Sequence, residues 1–145
     1  MRVRVLLTVI FVGLLACGKA EEEHPQAPTI VLDRDSLGFG QEFGSGVYIG
    51  TSKQESLMVQ NKGLQTLVIS HVDFGGPGAS AFTMELPQKL EVEPLGHLFI
   101  RFFFTPLEET IYTATATIVS NAENEPQKSV TISGRGVRKV TDGGM

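Results

Sequence analysis

Between Ile30 and Val137 the apolar residues come in short runs at alternate positions, separated by turn residues, and no stretch keeps a helical period. The strongest run is Leu98-Phe99-Ile100-Arg101-Phe102-Phe103-Phe104-Thr105, closed by Pro106, which cannot donate to a ladder. With period two, Leu98, Ile100, Phe102 and Phe104 share one face and Phe99, Arg101, Phe103 and Thr105 the other. The first row reads as core. The second puts two phenylalanines on the wetter side, where a cover is expected. Ile111–Ser120 alternates as strongly, with Tyr112, Ala114, Ala116 and Ile118 against Thr113, Thr115 and Thr117.

The rest of the chain follows the same pattern. Ile30–Leu32 reads as the first strand, and Ser36–Gly40 continues it or crosses to a second sheet. Residues 44–50 read as loop and short strand, Gln54–Gln60 as a strand. Asn61-Lys62-Gly63 is expected to be a tight turn in which Asn61 and Gly63 take left-handed conformations. In Gln65–Val72, Leu67 and Ile69 share a face that Val72 rejoins through a bulge. Phe74–Ser80 is glycine-rich and reads as loop. Phe82–Met84, with Phe82 buried, and Leu90–Val92 are short strands. Asn121–Pro126 is a polar turn in which Asn121 bonds neighbouring backbone. Ser129–Ser133 is the last strand, with Gly134 and Gly136 letting it bend. This spacing predicts an all-β sandwich of about seven strands in two antiparallel sheets.

The first residues read as an address. Arg2 and Arg4 precede an apolar run, Val5–Ala16, well short of the roughly 20 residues a bilayer span needs. Leu14-Leu15-Ala16-Cys17-Gly18 resembles the bacterial lipobox, in which the cysteine becomes the lipidated first residue of the mature chain. The resemblance implies a lipoprotein signal peptide over 1–16 and diacylglyceryl and acyl groups on Cys17. The alternative is a plain signal peptide with an incidental cysteine. Gly18, in place of an aspartate retention signal, favours the outer over the inner membrane of a bacterial cell envelope. Residues 17–29, with Glu21-Glu22-Glu23, Pro25 and Pro28, read as a solvated tether. The domain is expected over 30–137 and a frayed tail over 138–145.

Composition narrows the classes. The formal charge of the 145-residue chain is −4, and losing Arg2 and Arg4 with the leader makes it −6. No basic stripe suits a nucleic acid. Cys17 is the single cysteine, so no intramolecular disulfide is possible, and tryptophan is absent.

The ordered marks Leu37-Gly38-Phe39-Gly40, Val59-Gln60-Asn61-Lys62-Gly63, Leu67-Val68-Ile69, Phe82, Phe102-Phe103-Phe104-Thr105-Pro106, Ser120-Asn121 with Pro126, and Val130-Thr131-Ile132-Ser133-Gly134-Arg135-Gly136 resemble the ASH (HYDIN-like) family, relatives of the major-sperm-protein fold. The resemblance implies an immunoglobulin-like sandwich and a role in protein–protein attachment. Family members in eukaryotes are associated with cilia and centrosomes, and bacterial ones occur in secreted or anchored proteins. The sequence departs from the pattern at Pro94-Leu95-Gly96, one residue longer than the usual Pro-Gly turn, at Thr110 and at Ala122.

Candidate chemistry is sparse. His24, His71 and His97 are the only histidines and form no close pair, so neither metal nor other cofactor is expected. There is no nucleophile elbow and no phosphate-cradling loop. The chain reads as a non-enzyme. The candidate partner-binding residues are Phe99, Arg101 and Phe103, since aromatic and arginine side chains together recur at interfaces. The competing reading is that the domain's own segments cover them. Residues 75–80 and an exposed edge strand are further candidates. The expected role is a lipid-anchored envelope module binding another envelope or extracellular protein. The alternative is a structural subunit of an envelope or motility assembly, with a carbohydrate binder or enzyme ranked lower.

Overall fold

The computed structural model describes residues 18, 21–40 and 46–140, so the leader, Cys17 and the last residues of the tail lie outside the described residues. Ten strands follow in order: β1 (Ile30–Leu32), β2 (Ser36–Phe39), β3 (Val47–Tyr48), β4 (Lys53–Asn61), β5 (Leu67–Gly75), β6 (Phe82–Glu85), β7 (Glu91–Val92), β8 (His97–Phe104), β9 (Ile111–Ser120) and β10 (Gln127–Val137). One sheet has the order β1-β4-β8-β6. The other runs β2-β10-β9-β5-β7, with β3 also pairing β10.

The all-β sandwich is as the alternation predicts, with two refinements. The strands outnumber the expected seven because the edges are broken into short pieces. The sheets are also not wholly antiparallel, since β2 and β3 both run parallel to β10. The first short strands change sheets: β1 pairs with β4, and β2 crosses to β10.

The period-two rows become the two sides of each sheet. Leu57, Val59, Ile100, Phe102 and Phe104 of one sheet, and Leu67, Ala116, Ile118, Val130 and Ile132 of the other, are all buried in the shared core. Aromatic rings fill one end of it. Phe82 and Phe104 stack at 4.8 Å, Phe39 lies 5.7 Å from each, and Tyr112 meets Phe104 edge-on at 5.5 Å. The β5–β9 register shifts between Ile69 and His71, which is the bulge that returns Val72 to the core side.

Several turn readings are corrected. Phe74 and Gly75 are not loop: they complete β5 opposite Ala116 and Thr115, because the long β9 offers them a partner that composition alone does not reveal. Neither Asn61 nor Gly63 is left-handed. Asn61 is fully buried, and its amide bonds five backbone groups. Oδ1 accepts from Thr29 N and Gly63 N; Nδ2 donates to the carbonyls of Gln65, Val92 and Glu93. Gly63 is glycine because a Cβ there would lie 1.9 Å from the Ala27 carbonyl oxygen. Gly134 and Gly136 lie within β10 and do not end it. A Cβ at 134 would meet the Phe104 ring at 2.5 Å, and one at 136 the Glu108 carbonyl oxygen at 2.1 Å. Asn121 reaches across to β5, accepting from Val68 N at 2.7 Å.

The chain also docks before β1. Leu64 N donates to Pro25 O, Lys62 N to Thr29 O and Glu123 N to Pro28 O, and Pro28 is buried. The long turn before β8 has a visible cost. Gly96 N donates to Glu93 O at 2.9 Å, closing a turn with Pro94 second and Leu95 third. Leu95 has φ 60°, alone among described non-glycine residues in being positive, where a turn of this kind favours glycine. Half of its side chain is exposed, so little packing opposes a change. Leu95→Gly is therefore expected to stabilise the fold by about 0.5–1 kcal/mol, the relief of left-handed strain less the added unfolded-state entropy. Urea titration checks it.

Candidate binding face

The two outer faces of the sandwich differ in chemistry. On the six-stranded sheet, Thr113 stands opposite Ser133, Thr115 opposite Thr131 and Thr117 opposite Ser129, with the last two hydroxyls 2.9 Å apart. Along β9 and β10 these short hydroxyl side chains form rows suited to water, with exposed Ile111 on β9 and Val68 on β5 beside them. On the four-stranded sheet the outward residues of β8 are His97, Phe99, Arg101 and Phe103, and the register places Met58 beside Phe99, and Ser56 and Glu85 beside Arg101.

Phe99 is half exposed (50%), so the expected cover is absent over it among the described residues. Its ring meets His97 edge-on at 5.4 Å. Arg101 Nη1 lies 3.5 Å from Glu85 Oε1, with both side chains more than half exposed; water screens such a pair, and it holds the guanidinium only loosely. Phe99 and Arg101 line one cleft of about 120 Å³ with Glu85, Leu86 and Pro87. Phe103 is on the same side of the sheet but does not line the cleft and is only part-exposed, between Gln54 and Thr83. Lys89 Nζ, between β6 and β7, is engaged 3.0 Å from Glu91, whose hydrogen bond and charge raise the ammonium pKa above its ordinary value.

Of the three residues singled out by the sequence, the cleft brings together Phe99 and Arg101 but not Phe103; its other lining residues, Glu85, Leu86 and Pro87, carried no signal in the sequence.

The other candidates are placed differently. Residues 75–80 are strapped to β9: Gly78 N donates to Thr113 O at 2.8 Å, and a Cβ at Gly78 would meet Thr113 N at 2.6 Å. The three histidines stay apart, and among the described residues no group of three or more histidine, cysteine or acidic side chains is placed to hold a metal ion. Ser70, His71 and Asp73 line up on β5, with Ser70 Oγ 3.1 Å from His71 Nδ1 and His71 Nε2 3.4 Å from Asp73 Oδ2. The Ser70 hydroxyl, however, donates to Val119 O at 3.0 Å, so toward Nδ1 it accepts. A ring nitrogen that donates to the serine is no base for it. His71 and Asp73 also lie on an open face, 56% and 72% exposed.

Two packed sheets with short, sheet-changing first strands make this an immunoglobulin-like β-sandwich. The chain belongs to the HYDIN/CFA65/VesB-like, Ig-like domain family, whose model matches residues 28–135. Among solved structures it is similar to the ASH/PapD-like domain of human CEP192 (PapD-like domain 7), at TM-score 0.62 and 15% identity over 96% of this chain and 98% of that one. A protein of unknown function from Porphyromonas gingivalis W83 matches at TM-score 0.60 and 18% identity, covering 78% of this chain and 49% of that one. The secreted serine protease VesC from Vibrio cholerae matches at 0.52 and 13%, over 77% of this chain and 23% of VesC. At such identities the likeness is one of fold. No curated protein matches the chain.

Proposed function

We propose that this is a non-catalytic protein-binding module, tethered to a bacterial envelope membrane through lipid on Cys17, that takes its partner on the outer face of the four-stranded sheet. The observation that carries the binding role is Phe99: a half-exposed aromatic beside a loosely held arginine, on the sheet opposite the hydroxyl rows of β9 and β10. Buried aromatic and arginine anchors dominate interface energetics, and an exposed phenylalanine gains most from being covered. Phe103 lies further along the same face as a secondary contact. An Ig-like fold of the ASH type is consistent with binding without catalysis. The structural-subunit reading differs only in permanence: a domain that stays monomeric when purified supports reversible binding.

Phe99→Ser is expected to weaken partner capture at least about tenfold while moving the melting temperature by less than about 2 °C, because the ring is half in water already. Pull-down from envelope extracts beside a thermal melt reads both; a large loss of stability would make Phe99 a core residue.

The anchor reading rests on the apolar leader ending at Ala16-Cys17. Among the described residues no helix is long and apolar enough to cross a membrane. Each buried methylene contributes about 0.8 kcal/mol, and stable anchoring takes more than one chain, as multiple acylation of Cys17 supplies. Cys17→Ser is expected to leave the protein without lipid and in the soluble fraction. Membrane retention of that variant, measured by fractionation and mass spectrometry, would contradict the anchor.

A further inference from the structure

The backbone of β8 is left incomplete beside the cleft. Asn61 N donates to Gly96 O at 3.0 Å, so the even-numbered residues of β8 turn their backbone groups toward β4. Thr105 N donates to Ala81 O at 2.8 Å, so the odd-numbered ones face β6. On that side Phe103 stands opposite Thr83 and Arg101 opposite Glu85. The pairing stops there and does not continue through Pro87 to Phe99. Proline has no N–H to give, β6 has ended at Glu85, and the chain leaves to form β7 in the other sheet. Among the described residues, no backbone hydrogen bond reaches the outward N–H or C=O of Phe99 or His97. The strand's open edge and its exposed aromatic side chain thus coincide at one residue.

We propose that this edge receives a short extended segment of a partner protein, which pairs its backbone with Phe99 and His97 and sets an apolar side chain against Phe99 and Pro87. The inference rests on the binding-face reading above and names its mode. A helix or a lipid surface has no free backbone groups in ladder spacing to offer, whereas an extended segment presents both N–H and C=O at each alternate residue. In an antiparallel hydrogen-bonded pair, the residue opposite Phe99 also projects to the outer face, where the aromatic ring waits. Arg101, held only by a loose contact at 3.5 Å, favours a segment with an acidic residue within its reach. Pro87 keeps the protein's own chain from closing the edge.

Linear decapeptides displayed on phage and panned against the full chain test this. Enrichment of sequences joining a β-branched or aromatic residue to an acid is expected, with binding lost in Phe99→Ser. In a synthetic copy, N-methylation of the apolar residue removes the N–H given to the Phe99 carbonyl and should weaken binding about tenfold, the loss expected of one hydrogen bond. N-methylation of the next residue, whose N–H points away, should cost less than about threefold. The Phe99 amide, fast-exchanging in the free protein, should become protected in the complex. Peptides sensitive to Phe99→Ser but indifferent to N-methylation would overturn the strand-pairing mode while leaving the face as a binding site. No enrichment, or peptides that bind the Phe99→Ser protein equally well, would overturn the edge as a site. A dimer that itself protects the Phe99 amide would replace the partner segment with a second copy.

Discussion

Replacing Asn61 by alanine is expected to lower the unfolding free energy by about 3–5 kcal/mol, since each buried polar group left without a partner costs about 1–3 kcal/mol. The amide joins three segments distant in sequence: Thr29 before β1, the Gly63–Gln65 turn and the end of β7. Its bonds to Gly63 N and Val92 O are buried, so water cannot replace them after truncation. The groups at Thr29, Gln65 and Glu93 are nearer the surface and recover part of their loss. Asn61→Asp separates the two halves of the amide. It keeps the acceptor for Thr29 and Gly63 but turns an oxygen on three carbonyls. The carboxylate is disfavoured there, so its folded pKa rises above the unfolded value of about 3.9. The folded state then binds more protons than the unfolded one. The variant should be nearest to wild type below about pH 4 and should lose stability as pH rises through the folded value. Urea titrations across that range check the sign.

Gly134→Ala is expected to cost about 2–3 kcal/mol, as overpacking a filled core does. The added methyl group would meet three carbons of the Phe104 ring, at 2.5, 2.7 and 2.8 Å. A free ring would swing aside. This one is fully buried among Phe39, Phe82 and Tyr112 and has nowhere to go. Shortening the obstacle should therefore relieve the clash: in a Phe104→Leu background the cost of Gly134→Ala should fall by at least about 1 kcal/mol, a coupling expected only of residues in contact. Phe104→Ala alone should cost about 3–5 kcal/mol, the range for removing a buried aromatic side chain.

These two positions also show where sequence reading reaches its limit. The alternation in β8 and β9 names the core rows correctly because side chains in a strand alternate whatever the sheet order. The bulge before Val72 follows from the same parity. Asn61 and Gly134 look like turn residues by type, and type is all a sequence displays. Their actual roles come from segments that the fold brings to them: Thr29 and Val92 around the amide, Phe104 over the glycine. Phe74 and Gly75 pair for the same reason, because β9 is long enough to hold a glycine-rich stretch in register. At the proposed binding face, Phe99 and Arg101 were legible as residues that alternation pushes outward. Met58 and Glu85 were not, since only strand register makes them neighbours, and Pro87 joins them only in the folded cleft.

A photo-crosslinking residue placed at position 99, compared with one at position 115 among the hydroxyl rows, tests the proposed binding face most directly in intact cells. Both sites are exposed and both lie on strands, so access and rigidity are matched. A discrete adduct with another protein from position 99, and none from position 115, is the predicted result. Adducts of equal yield from both faces, or from position 115 alone, would contradict it.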